Sequence, residues 1–199
     1  MIISILYHIY GQFQEEMKKE VAKAMILFIG EKALFDFVYE TTANVTYDVA
    51  IEAADKLIVC DSSDNAISAV KAAILINIPI LGIHDGYRAV AEAMGARCET
   101  LENCAEGKQE LAITDNNSAI FKGLEKVIKV CRGTPVAVIE SALPAGLDCI
   151  ARAETGEILA FECFTAPGIS SNIFAINLHP ASGLTPVGAD IIKNFVNLN

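Results

Sequence analysis

The chain has 199 residues, 53% of them hydrophobic and 20% charged, enough for one compact core without a second domain. A formal net charge of -10 argues against nucleic acid or an anionic membrane as partner, since both are bound through clustered Lys and Arg. Six cysteines without a Cys-x-x-Cys pair read as reduced thiols, the buried ones acting as small apolar residues.

Ile2 to Ile9 is a strand-like apolar run, and Gln12 to Met25 has helical spacing with its charges on one face. The apolar start lacks a basic leader, so no targeting segment is expected. The longest apolar run, Ala72 to Ile83, is too short to span a bilayer and contains Asn77 and Pro79. The expected location is therefore the cytoplasm. Met25 to Gly30 reads as a second short strand and Tyr47 to Ala54 as a short helix. Lys56 to Cys60 is a buried strand ending in the polar turn Asp61-Ser62-Ser63-Asp64. A helix over Ala66 to Asn77 and a strand over Ile78 to Ile83 follow, then a helix over Ala89 to Met94. Strand and helix alternate, which predicts a parallel sheet covered on both faces.

The second half is built of short strand candidates: Glu110 to Thr114, Val127 to Val130, Val136 to Ile139, Asp148 to Ala153, Ile158 to Phe164 and Phe174 to Leu178. Asp115 to Ser118 is expected to cap a helical turn at Ala119 to Gly123. Val187 to Val196 closes the chain as a helix. No repeat, low-complexity tract or long linker divides it, so residues 1–199 read as a single α/β domain. Its expected form is three-layered, a largely parallel central sheet with flanking helices and extra short strands.

Chemistry concentrates at Gly82-Ile83-His84-Asp85-Gly86, where a strand runs into a helix. Gly-x-nucleophile-x-Gly at such a junction is an elbow: the glycines permit a strained turn, and the central side chain projects at a helix N-terminus. That position ordinarily needs Ser or Cys to attack a carbonyl. Here it holds His84.

Other landmarks stand in order around this turn. They are Tyr10-Gly11-Gln12-Phe13, Pro79 to Ile83, Ala93-Met94-Gly95-Ala96, Asp115-Asn116-Asn117 with Phe121-Lys122-Gly123-Leu124, and Leu143-Pro144-Ala145-Gly146-Leu147 with Ile150-Ala151. Leu178-His179-Pro180 follows, then Thr185, Gly188, Ile191-Ile192 and Asn194-Phe195. Together, over nearly the whole chain, they resemble the class I glutamine amidotransferase domain, most closely the glutaminase of GMP synthase. The resemblance implies a flavodoxin-like α/β fold. In that family a Cys at the elbow attacks the glutamine amide and releases ammonia. A His-Pro-Glu motif supplies the base and its orienting carboxylate, and a Gly-Gly loop stabilises the oxyanion.

Carried over residue by residue, the resemblance puts His84 at the nucleophile and His179 at the base. Ala181 stands at the orienting Glu, and Asp61-Ser62 at the oxyanion glycines. Gly82, Asp85, Gly86, Tyr87 and Arg88 would line the remodelled pocket. Losing a nucleophile or an oxyanion donor costs on the order of 10²–10⁶ in rate. The expectation is a degenerate member without Cys-dependent glutamine hydrolysis, needing no cofactor. It would bind a small molecule of unknown identity in the old pocket or serve a synthetase-type partner or a second copy of itself.

Rival readings stay open. A divergent amidotransferase or hydrolase could use a remodelled His84/His179 site, with a metal held by His84, His179 and Asp61, or with Asp85 or Cys60 as further donors. Cys60 or Cys163 could be a displaced nucleophile, although Asp61 beside Cys60 opposes a thiolate. Arg88 could hold a ligand carboxylate, or simply be solvated on its helix.

Overall fold

The computed structural model describes residues 26–30, 56–102, 104, 106–163 and 172–198. The strand expected at Ile2 to Ile9 and the helices expected at Gln12 to Met25 and Tyr47 to Ala54 lie outside these residues, as does the Tyr10 to Phe13 motif. In chain order the elements are β1 (Ile26–Gly30), β2 (Lys56–Cys60), α1 (Asp64–Leu75), β3 (Ile80–Ile83), α2 (Asp85–Ala93), β4 (Cys98–Thr100) and β5 (Gln109–Thr114). They continue as β6 (Val127–Cys131), β7 (Val136–Val138), β8 (Asp148–Ala153), β9 (Ile158–Cys163), β10 (Ile173–Ile176) and α3 (Gly188–Val196). Single 3-10 turns sit at Ala119–Phe121 and Glu140–Ala142.

One sheet runs in the order β1-β2-β3-β10-β9-β8-β5-β6. From β1 to β10 the pairs are parallel; from β10 to β6 they are antiparallel. Parallelism thus holds for one half of a mixed sheet. A parallel pair needs a crossover of roughly a dozen residues or more, which α1 supplies between β2 and β3. The link Glu154 to Glu157 between β8 and β9 is too short for that and must form a hairpin. β7 leaves the main sheet and pairs with β4, a strand that periodicity does not mark because its three residues are partly or wholly exposed.

Strand alternation sorts the core onto two faces. Leu57, Val59, Ile80 and Ala175 meet α1 and α2 through Ala69, Val70, Tyr87 and Val90. Ile58, Cys60, Leu81, Ile83 and Phe174 meet α3 and the 119–121 turn through Ile191, Phe195, Ile120 and Phe121. The result is three layers.

Boundaries differ from expectation where glycine, proline and turn chemistry intervene. The side chain of Ser63 caps α1 by accepting from Ala66 N. α1 ends at Leu75, before Asn77 turns left-handed at φ 59 and Pro79 precedes β3. α2 begins at Asp85 rather than Ala89, its first turn carrying an acid where the helix dipole favours one. Ser118 makes no side-chain cap on the 119–121 turn; its hydroxyl instead donates to Glu162 Oε2 at 2.6 Å.

Candidate functional site

The C-terminal ends of β2, β3 and β10 converge, and the residues that follow them form the site. At the end of β3, His84 adopts φ 58 and ψ -119, a conformation suited to glycine. Packing enforces this turn. A Cβ on Gly86 would lie 1.8 Å from Val59 O, and one on Gly82 would lie 2.4 Å from Gly86 O. Gly82 and Gly86 therefore let β2, β3 and α2 close together, which leaves the residue between them to carry the strain. The His84 amide donates to Ile176 O at 3.2 Å, tying the turn to β10.

The His84 side chain is 18% exposed, and its Nδ1 lies 3.2 Å from Asp85 Oδ2. His179, just past β10, packs edge to face against it, the ring centres 5.9 Å apart and the planes at 84°. Burial, and then the neighbouring His84, hold the His179 imidazole below its ordinary 6.5, partly offset by a backbone hydrogen bond. Two elements separated by nearly a hundred residues are thus brought together.

Two further residues shape the site without any spacing signal in the sequence. Gly133 packs against His84: a Cβ there would lie 3.1 Å from His84 Cα, His84 Cδ2 and Asn177 Oδ1. Asn177 is fully buried and holds the Gly133 segment in place. Its Oδ1 accepts from Thr134 N at 2.8 Å, and its Nδ2 donates to Thr134 O at 3.0 Å and Val136 O at 2.6 Å. Gly-Thr-Pro reads as an ordinary turn; only the tertiary fold puts it behind His84.

The other sequence-named residues scatter. The carboxylate of Asp61 is engaged locally, accepting from Ser63 N at 3.1 Å and Ser63 Oγ at 2.5 Å, with half-buried Ser62 between them. Tyr87 points into the core rather than lining a pocket: its hydroxyl donates to Ile158 O at 2.8 Å and accepts from Val138 N at 3.1 Å. Arg88 faces outward and pairs with Glu92 at 2.7 Å, the solvated-helix alternative. Ala181 is buried in the α3-side core at 9% exposure. Cys60 is buried, and its thiol is pushed well up by burial, then by Asp85 and Asp61, the opposite of an activated nucleophile. Cys163 is likewise buried at the far end of β9, its thiol raised by burial and Asp148. Asp61 does not join the two imidazoles as a metal ligand, and no group of three or more His, Cys, Asp or Glu among the described residues is arranged to hold one.

The profile of the class-I glutamine amidotransferase family matches residues 44–198. The chain belongs to that family. Among its amidotransferase relatives, a glutamine-hydrolyzing GMP synthase subunit of Thermococcus kodakarensis is 34% identical over 122 residues, covering 61% of this chain and 61% of that protein. The bifunctional protein TrpGD of Thermotoga maritima is 31% identical over 121 residues, covering 61% of this chain and 20% of that protein. The chain thus matches less than two thirds of the length of these relatives. A crystal structure of a candidate GMP synthase subunit from Thermoplasma acidophilum superposes with a TM-score of 0.67 at 22% identity, over 87% of this chain and 92% of that one. The mixed sheet with helices on both faces is thus the amidotransferase fold. Among the described residues, no helix of this family member is long and apolar enough to cross a membrane.

Proposed function

We propose that this amidotransferase-family chain does not hydrolyse glutamine through a cysteine and acts as a binding module, docking to a synthetase-type partner or holding a small molecule at the remodelled site. The observation that carries this reading is the occupant of the strained turn. His84, with φ 58 between Gly82 and Gly86, takes the place of an elbow nucleophile and faces His179. An imidazole there could be acylated only with an oriented base to assist, and Ala181 stands where the carboxylate that orients His179 would be. The Cys60 thiol at the end of β2 does not substitute, since it is buried beside two carboxylates that oppose its ionisation. A partner role is supported by the company the family keeps: the relatives bear names such as anthranilate synthase component 2, and one is named as a subunit of GMP synthase.

Ammonia release from glutamine by the purified chain, with His84→Ala as control, tests this. Background release from both proteins is expected. Release that His84→Ala abolishes would make His84 a catalytic residue and sink the proposal.

A further inference from the structure

Among the described residues, a buried guanidinium nitrogen lacks an acceptor, and its residue lines a cavity. Arg132 follows β6, and its side chain is 2% exposed. Its backbone is pinned on both sides, the amide donating to Lys108 O at 3.3 Å and the carbonyl accepting from Gly107 N at 3.0 Å. Glu110 takes one edge of the guanidinium, with Nε 2.6 Å from Oε1 and Nη2 3.1 Å from Oε2. Glu157 stands 3.8 Å from Nη2, beyond hydrogen-bond reach. Nη1, turned away from the Glu110 edge, is buried and without a partner. Buried polar groups are nearly always paired, so an orphan donor at a cavity points to an acceptor that an occupant brings.

The cavity measures about 230 Å³. That is below the roughly 300–1,000 Å³ of sites for drug-sized ligands and limits the occupant to a small molecule. Arg132, Glu110 and Glu157 line it with Glu154 of the β8–β9 hairpin, and Leu111 and Cys104 add an apolar wall. Charge decides the class of occupant. Three carboxylates surround one guanidinium, so the lining is net anionic and a simple anion is repelled. The oxygen that accepts from Nη1 is therefore neutral, and a positive group on the same molecule gains from the carboxylates. We propose that this cavity binds a small primary amine carrying a neutral carbonyl oxygen. Arg132 Nη1 donates to that oxygen, Glu154 and Glu157 pair with the ammonium, and a short alkyl spacer lies on Leu111 and Cys104. It is a second site, sharing none of these residues with the His84 turn, and it stands whatever that turn binds.

Titration of the isotope-labelled chain with β-alaninamide, followed by NMR, tests the site. Saturable shifts of the Leu111 and Thr155 amides are expected, since both residues line the cavity. Propylamine lacks the oxygen and should bind at least about tenfold more weakly. Propionamide lacks the charge and should bind roughly three- to fivefold more weakly. Arg132→Lys keeps a cation for Glu110 but removes Nη1, and should weaken β-alaninamide about as much as losing the oxygen does. Because that buried variant could fail to fold, Glu154→Gln/Glu157→Gln supplies a milder one, expected to bind roughly three- to fivefold more weakly. Absence of saturable shifts at Leu111 and Thr155, unchanged binding in the glutamine variant, or either single-ended analogue binding as tightly as β-alaninamide would overturn the proposal.

Discussion

His84 carries a conformational cost and its neighbour His179 an electrostatic one, and both are measurable. A side chain held at φ 58 and ψ -119 is strained by about 1–3 kcal/mol, a cost that glycine escapes. His84→Gly should therefore raise stability by about 1 kcal/mol after glycine's own entropic penalty, read as a shift in denaturant midpoint. An unchanged or lower midpoint would mean that the imidazole contacts outweigh the strain. His179 supplies the pH dependence. Its folded pKa lies below the unfolded value, so as pH falls the unfolded chain takes up the proton first. Its contribution is whole above about pH 6.5 and is lost as pH drops from there through the folded pKa. His179→Gln should flatten that limb of the stability profile. His84→Ala should raise the His179 pKa in an NMR titration, because a neighbour that lowers it is removed.

At the scale of elements, the site depends on a clamp more than on any one strand. Asn177 connects the end of β10 to the backbone of residues 134 and 136, and Gly133 N donates to Asn177 O at 3.2 Å. Truncating Asn177 leaves buried backbone groups of Thr134 and Val136 without partners. Asn177→Ala should cost on the order of 3 kcal/mol and let Gly133 drift from His84. Urea denaturation gives the first quantity; loss of the ring-current shift between His84 and His179 reports the second. Tyr87 performs a similar task on the other face, its hydroxyl joining α2 to β9 and β7. Gly133, which has no side chain to announce itself, packs against His84 instead.

For the whole molecule, charge and packing act in opposite directions. A net charge of -10 on 199 residues repels itself in the compact state, while two core layers bury the apolar faces of the sheet. Raising NaCl from low concentration to about 0.5 M screens that repulsion over a few ångströms. The thermal midpoint should rise by about 2–4 °C, the shift ~1 kcal/mol produces in a chain of this size. A flat response would assign the charges to local pairs. Such pairs exist: Arg132, 2% exposed, lies 2.6 Å from Glu110, and Arg152 2.5 Å from Glu140.

Local chemistry in the sequence was sufficient for the strands Lys56–Cys60 and Asp148–Ala153, for helices α1 and α3, and for the glycine-flanked turn at His84, because periodicity and steric demands act between near neighbours. Motif order was sufficient for the family and for pairing His84 with His179. Periodicity could not reveal that half the sheet is antiparallel, since a short apolar strand reads alike in either direction. Nor could it reveal Gly133 or Asn177 behind His84, or turn Tyr87 into the core. Those depend on contacts between segments tens of residues apart, where hydrogen-bond satisfaction and close packing, rather than local propensity, choose the partner.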